Sequence, residues 1–94
     1  MAALTLVLWR DIPAQVLHGT GRTAQRVALS ERFEQAIDRA AMQAGLSGTD
    51  DYLAEWRRAP AEADDATTLA ARIEAEYDTD RLRSLIANGG REPR

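Results

Sequence analysis

From Leu4 to Trp9 the chain reads LTLVLW, without a charge, and it then breaks at Arg10, Asp11 and Pro13. A short continuous apolar run bounded by turn residues predicts a strand buried on both faces or covered by a helix, the best candidate for a central strand. Ile12-Pro13 dictates an extended exit from it. Two moderately apolar segments follow, Ala14–His18 and Arg22–Leu29, on either side of Gly19-Thr20-Gly21. The glycines supply the positive φ angles a tight turn needs, so this stretch predicts a hairpin.

At Ser30 the period changes from two to 3.6. Phe33, Ala36, Ile37, Ala40, Ala41 and Ala44 recur on one helical face, Ser30 is a good N-cap, and Glu31 and Glu34 place negative charge in the first turn. Gly45 is the natural C-cap. On the opposite face Glu34 and Asp38, and Gln35 and Arg39, stand four apart toward solvent. The buried alanines let this helix approach the sheet closely, so a large residue at Ala36 or Ala40 should overpack the contact. Thr49 caps a second, short helix, with Asp50 and Asp51 in its first turn and Tyr52, Leu53 and Trp56 on its apolar face. Pro60 biases Ala59 away from helix, so Glu55–Pro60 can form an edge strand before the acidic connection Ala61–Asp65. Leu69, Ala70, Ile73 and Tyr77 mark a third helix. Asp78 or Thr79 caps a fourth, with Leu82, Leu85 and Ile86 inward and an end at Asn88-Gly89-Gly90. Residues 1–90 therefore form one α+β domain: a small antiparallel N-terminal sheet packed against one main helix, with further short C-terminal helices. Residues 91–94 read as a disordered tail.

Composition narrows the chemistry. Of 94 residues 45% are hydrophobic, but 18 are alanine, which leaves a thin set of larger side chains for the core. All 12 basic residues are arginine, so lysine-dependent Schiff-base and Walker-type phosphate chemistry are excluded. With no cysteine and His18 as the single histidine, there is no thiolate nucleophile, no cysteine zinc site and no His-based metal cluster. No cofactor is implied. The net charge is −3, with the acid excess in the C-terminal half, and this argues against nucleic acid as a partner. No run approaches a membrane span and the N-terminus lacks the pattern of a signal peptide, so a cytoplasmic protein is expected.

The string Trp9-Arg10-Asp11-Ile12-Pro13-Ala14-Gln15-Val16, then Leu29–Glu34 with Ala36-Ile37-Asp38, then Asp51-Tyr52-Leu53 with Trp56, resembles the small bacterial "virulence factor" domain, also a module of the larger conserved virulence factor C proteins. The similarity covers roughly residues 3–87. It implies a bacterial cytoplasmic domain without an assigned catalytic activity, and company with folate- and corrinoid-linked methyl-transfer enzymes. It assigns no catalytic residue.

Three groups of residues remain as candidates. Arg10 and Asp11, with Trp56, Arg57 and Arg58, unite arginine, aromatic and a chain exit, a composition that suits docking to another protein. The competing reading pairs Arg10 with an acid such as Glu34 or Asp38, makes Asp11 a turn cap, and buries Trp9 in the core. His18, Gly19, Gly21 and Arg22 form the second group, an alternative cradle for a small ligand or phosphate, which turn chemistry explains equally well. Arg22, Arg26, Arg32 and Arg39 form the third, a basic face for nucleic acid unless the helix acids pair with them. The scarcity of reactive side chains favours a non-enzymatic accessory module that works by protein contact.

Overall fold

The computed structural model describes residues 2–19 and 25–92. Four antiparallel strands, β1 (Ala2–Trp9), β2 (Ile12–His18), β3 (Gln25–Ala28) and β4 (Trp56–Ala63), form one sheet in the order β3-β2-β1-β4. Helices α1 (Glu31–Gln43), α2 (Asp50–Ala54), α3 (Ala66–Glu76) and α4 (Thr79–Ala87) complete an α+β fold. The apolar run is a central strand, as its composition requires. Leu8 is 5% exposed and Trp9 0%. Successive strand residues point to opposite faces, so the C-terminal end of β1 is covered on both.

The hairpin expected around the glycine turn is β2–β3, with His18 opposite Gln25 and Gln15 opposite Ala28. Residues 20–24, and with them Gly21 and Arg22, lie outside the described residues. A second hairpin was not legible: β1 returns directly into β2 through Arg10-Asp11, with Trp9 opposite Ile12. Such a two-residue turn usually announces itself by glycine or asparagine, because its backbone enters the left-handed region. Here Arg10 takes that conformation, at φ 52. The β1–β2 register slips between Val7 and Leu8, so that Ala14 is an extra residue on β2.

β4 extends the anticipated edge strand through Ala63, opposite Ala2, and reduces the acidic connection to Asp64-Asp65. Trp56 therefore belongs to this strand, opposite Trp9, and not to the apolar face of α2. Pro60 is tolerated for a geometric reason. The Arg10 N–H donates to the Glu55 carbonyl (3.1 Å), and ladder bonds recur at every second residue. Pro60, five residues on, thus turns its missing donor away from β1.

Helix ends follow the sequence with one exception. Thr49, Asp65 and Asp78 accept from the N–H groups of Tyr52, Thr68 and Arg81. Ser30 precedes α1 but its hydroxyl does not cap it; it donates to Glu74 Oε1 (2.8 Å) on α3, while the Ser30 N–H donates to Glu74 Oε2 (2.7 Å). The nearby acceptor competes successfully with the local cap. The C-cap of α1 is Ala44, one residue before Gly45, which at φ 75 closes the helix with Gly45 N–H to Met42 O and Leu46 N–H to Ala41 O.

The core joins Leu4, Trp9, Ile12 and Val16 of the sheet to Phe33, Ile37 and the alanines of α1, to Leu69 and Ile73 of α3, and to Leu82 and Leu85 of α4. α1 packs more extensively against α4 than against β2, and α3 shares the cover of the sheet. The alanine stripe expected to meet the sheet therefore serves the α1–α4 contact as well.

Candidate functional site

The Trp9-Arg10-Asp11 turn is held from three directions. The Trp9 indole N–H donates to the Tyr52 carbonyl (2.9 Å), and its ring stacks on Tyr52 at 5.6 Å between centroids. Arg10 donates to the Gly89 carbonyl (2.9 Å) and pairs with Glu55 (3.4 Å), its side chain only 14% exposed. The Asp11 N–H donates to the Gly90 carbonyl (2.8 Å), and its carboxylate accepts from Arg57 on Oδ1 (3.1 Å) and from the Glu92 N–H on Oδ2 (2.7 Å). Neither Glu34 nor Asp38 is the partner of Arg10, because the tight turn directs Arg10 toward the end of α2 and the Gly89-Gly90 segment. The Arg10 Nε is buried without a partner. Arg91 and Glu92, at the start of the anticipated tail, are engaged too: Glu92 pairs with Arg81 (2.8 Å), and Arg91 lies 3.9 Å from Glu55. Residues 93–94 lie outside the described residues.

The same turn fixes one arginine at the surface. Arg57 Nε donates to the Arg10 carbonyl (2.7 Å) while its Nη2 takes Asp11, so the guanidinium is oriented although 49% of the side chain is exposed. Beside it Arg58 is exposed, and no described residue forms an ion pair with it. Trp56, Arg57 and Arg58 line a shallow hollow of ≈ 330 Å³ with Val7 and Gln15. Trp56 is 37% exposed, whereas Trp9 is fully buried. The structure thus brings Arg10, Asp11, Trp56, Arg57 and Arg58 to one end of the sheet, the first two as internal supports and the last three as surface.

His18 and Gly19, both exposed, stand at the other end of β2. His18 is six steps along the strand from Ile12, roughly 20 Å at the usual strand rise. His18 and Gly19 therefore stand apart from the Trp56 end of the sheet. Of the basic face, Arg32 is committed internally: it donates to the carbonyl of Glu74 (2.6 Å) and to that of Tyr77, and pairs with the Glu74 carboxylate (3.1 Å). Burial opposes the charge on Glu74, but the Ser30 N–H and hydroxyl together with Arg32 outweigh it and hold the carboxyl below its ordinary value.

Sequence reasoning missed a groove that shares Gln15 and Trp56 with that hollow. It measures ≈ 300 Å³ and is lined by Ala14 and Gln15 of β2, Glu34, Ile37 and Asp38 of α1, and the rings of Tyr52 and Trp56, among others. Tyr52 and Trp56 meet edge to face at 6.2 Å. Burial first, then the Asp38 and Glu34 charges, push the Tyr52 phenol above its ordinary pKa, against a hydrogen bond from Trp56 that pulls it down. The available signal was the like-charged pair Glu34 and Asp38, four residues apart on one helix, which an isolated helix disfavours.

A family model described as virulence factor matches residues 7–86, nearly the whole domain, and spans both the Trp9-Arg10-Asp11 turn and the Trp56 strand. The chain belongs to the virulence factor family. No curated protein and no solved structure matches it. Among the described residues of this virulence factor domain, no group of three or more His, Cys, Asp or Glu side chains could hold a metal ion, and no helix is long and apolar enough to cross a membrane.

Proposed function

We propose that this domain is a non-enzymatic accessory module that binds another protein through the start of β4, with Trp56, Arg57 and Arg58 as the contact and Arg10 and Asp11 as the frame that orients Arg57. The observation that carries this reading is the contrast between the two tryptophans. Trp9 completes the core, whereas Trp56, directly opposite it on an edge strand, leaves 37% of its surface in solvent beside two exposed arginines. Aromatic and arginine side chains dominate interface energetics, because each offers a large contact area and a fixed geometry for a polar group. The family resemblance makes a folate- or corrinoid-linked methyl-transfer enzyme the first partner to examine.

The test is capture of such an enzyme, purified from the native host, on immobilised wild-type domain and on Trp56→Ala and Arg57→Ala/Arg58→Ala variants. Circular dichroism first establishes that each variant is folded. Binding by the wild type and its loss in both variants supports the assignment. Equal recovery on all three surfaces removes it.

A further inference from the structure

The groove beside Trp56 has a chemistry of its own. Its floor and walls combine apolar surface (Ala14, Leu29, Ile37) with two aromatic rings, and Glu34 and Asp38 stand on it as exposed carboxylates. Neither carboxylate forms an ion pair with a described residue. Three of the chain's arginines are committed elsewhere. Arg10 belongs to Glu55 and Gly89, Arg57 to Asp11, and Arg32 to Glu74, while Arg39 borders a separate hollow between α1 and α4 with Arg83.

We propose that this groove receives an arginine side chain of the partner protein, a deepening that rests on the protein-contact reading above. Two carboxylates one helical turn apart repel each other, and a cation placed between them relieves that repulsion. An aliphatic stem suits the apolar floor, and a cationic head gains from the face of a tryptophan. Arginine fits better than lysine because its planar guanidinium can stack on an indole while it donates to a carboxylate. The space of ≈ 300 Å³ admits one extended side chain. Exposed Arg57 and Arg58 line a hollow that shares Gln15 and Trp56 with the groove, so acidic and basic side chains both border this tryptophan.

The probe is a blocked tripeptide, glycine-arginine-glycine, titrated into the whole domain while heteronuclear NMR follows the Trp56 indole N–H and the amides of residues 34–38. A second peptide carries citrulline, the uncharged near-isostere, in place of arginine. Saturable shifts at these positions are expected with the arginine peptide in the millimolar range, with affinity at least about fivefold weaker for citrulline and for the Glu34→Gln/Asp38→Asn variant. That variant removes only exposed charges, and an unchanged unfolding midpoint establishes that its groove is intact. Equal response to the two peptides, no saturation, or shifts confined to other surfaces overturns the proposal. Methylguanidinium binding as tightly as the peptide also overturns it, by marking a small-molecule site. If these titrations fail while Trp56→Ala still abolishes enzyme capture, this inference falls and the protein-contact reading stands.

Discussion

Replacing Gly90 with alanine tests how the C-terminal segment locks the Trp9-Arg10-Asp11 turn. Gly90 has φ 94, and a Cβ built on it would lie 2.7 Å from Trp9 Cζ3 and 3.1 Å from Cε3. Two penalties follow. An L-residue at positive φ costs about 1–2 kcal/mol, and forcing a methyl group against a buried ring that has no room to move costs about 1–3 kcal/mol more. The sum, about 2–5 kcal/mol, is a large share of the roughly 5–14 kcal/mol that stabilise a domain of this length. Gly45 provides the control. It has φ 75 but nothing within 4 Å of its Cβ position, so Gly45→Ala should carry the conformational penalty alone, about 1–2 kcal/mol. Urea unfolding followed by tryptophan fluorescence and by far-ultraviolet circular dichroism gives both values, provided the slopes match and the two probes coincide. The melting temperature should fall by roughly 4–8 °C for each kcal/mol lost. If Gly90→Ala loses no more than Gly45→Ala, the contact between this segment and Trp9 is not what holds the turn.

Ala40, fully buried where α1 meets the core, should tolerate no larger side chain: Ala40→Leu is expected to cost about 1–3 kcal/mol by overpacking, read from the same urea curves. Glu74 predicts an acid-side loss of stability. Its carboxyl is held below the ordinary value of 4.5, so the folded state binds fewer protons than the unfolded one near that pH; the contribution is present above 4.5 and disappears as pH falls through the lowered value. Glu74→Gln should flatten that part of the stability–pH profile, and an unchanged profile would show that Ser30 and Arg32 do not hold the charge in solution. For the nucleic-acid reading, a mobility-shift titration with single- and double-stranded DNA and RNA at low salt should show no complex, since Arg32 is internally engaged and the net charge is −3.

How much of this was legible in the sequence depends on the range of the interaction responsible. The central strand, the α1 periodicity and the caps at Thr49 and Asp78 depend on neighbours a few residues away, and local pattern found them. The edge strand at Trp56 was readable because Pro60 excludes helix before it. What failed was decided by distant partners. Ser30 looks like an N-cap, yet Glu74, 44 residues on, takes its hydroxyl and its N–H. Arg10-Asp11 has no glycine or asparagine to betray a two-residue turn; it is Gly89 and Gly90, about eighty residues away, that accept from it. The Gly89-Gly90 pair was legible as a helix end, but nothing local shows that its second glycine lies against a tryptophan ring.

The candidate site followed the same rule, and the outcome separates signature from surface. Trp9, Arg10 and Asp11 open the specific string Trp9–Val16 of the family resemblance, yet their side chains turn inward, to Tyr52, to Glu55 and Gly89, and to Arg57 and the Glu92 backbone. A recognisable motif here specifies a joint between the first hairpin, the β4 start and the chain's end. The joint nevertheless bears on binding, because an arginine gripped at Nε and Nη2 loses less conformational freedom when it docks than a free one. Arg58, which no described residue pairs with, lacks that advantage. Arg57→Ala should therefore weaken a complex more than Arg58→Ala, and Asp11→Asn should weaken it without touching the contact surface itself. Equal losses from Arg57→Ala and Arg58→Ala would mean that their charge matters and the joint's orientation of Arg57 does not.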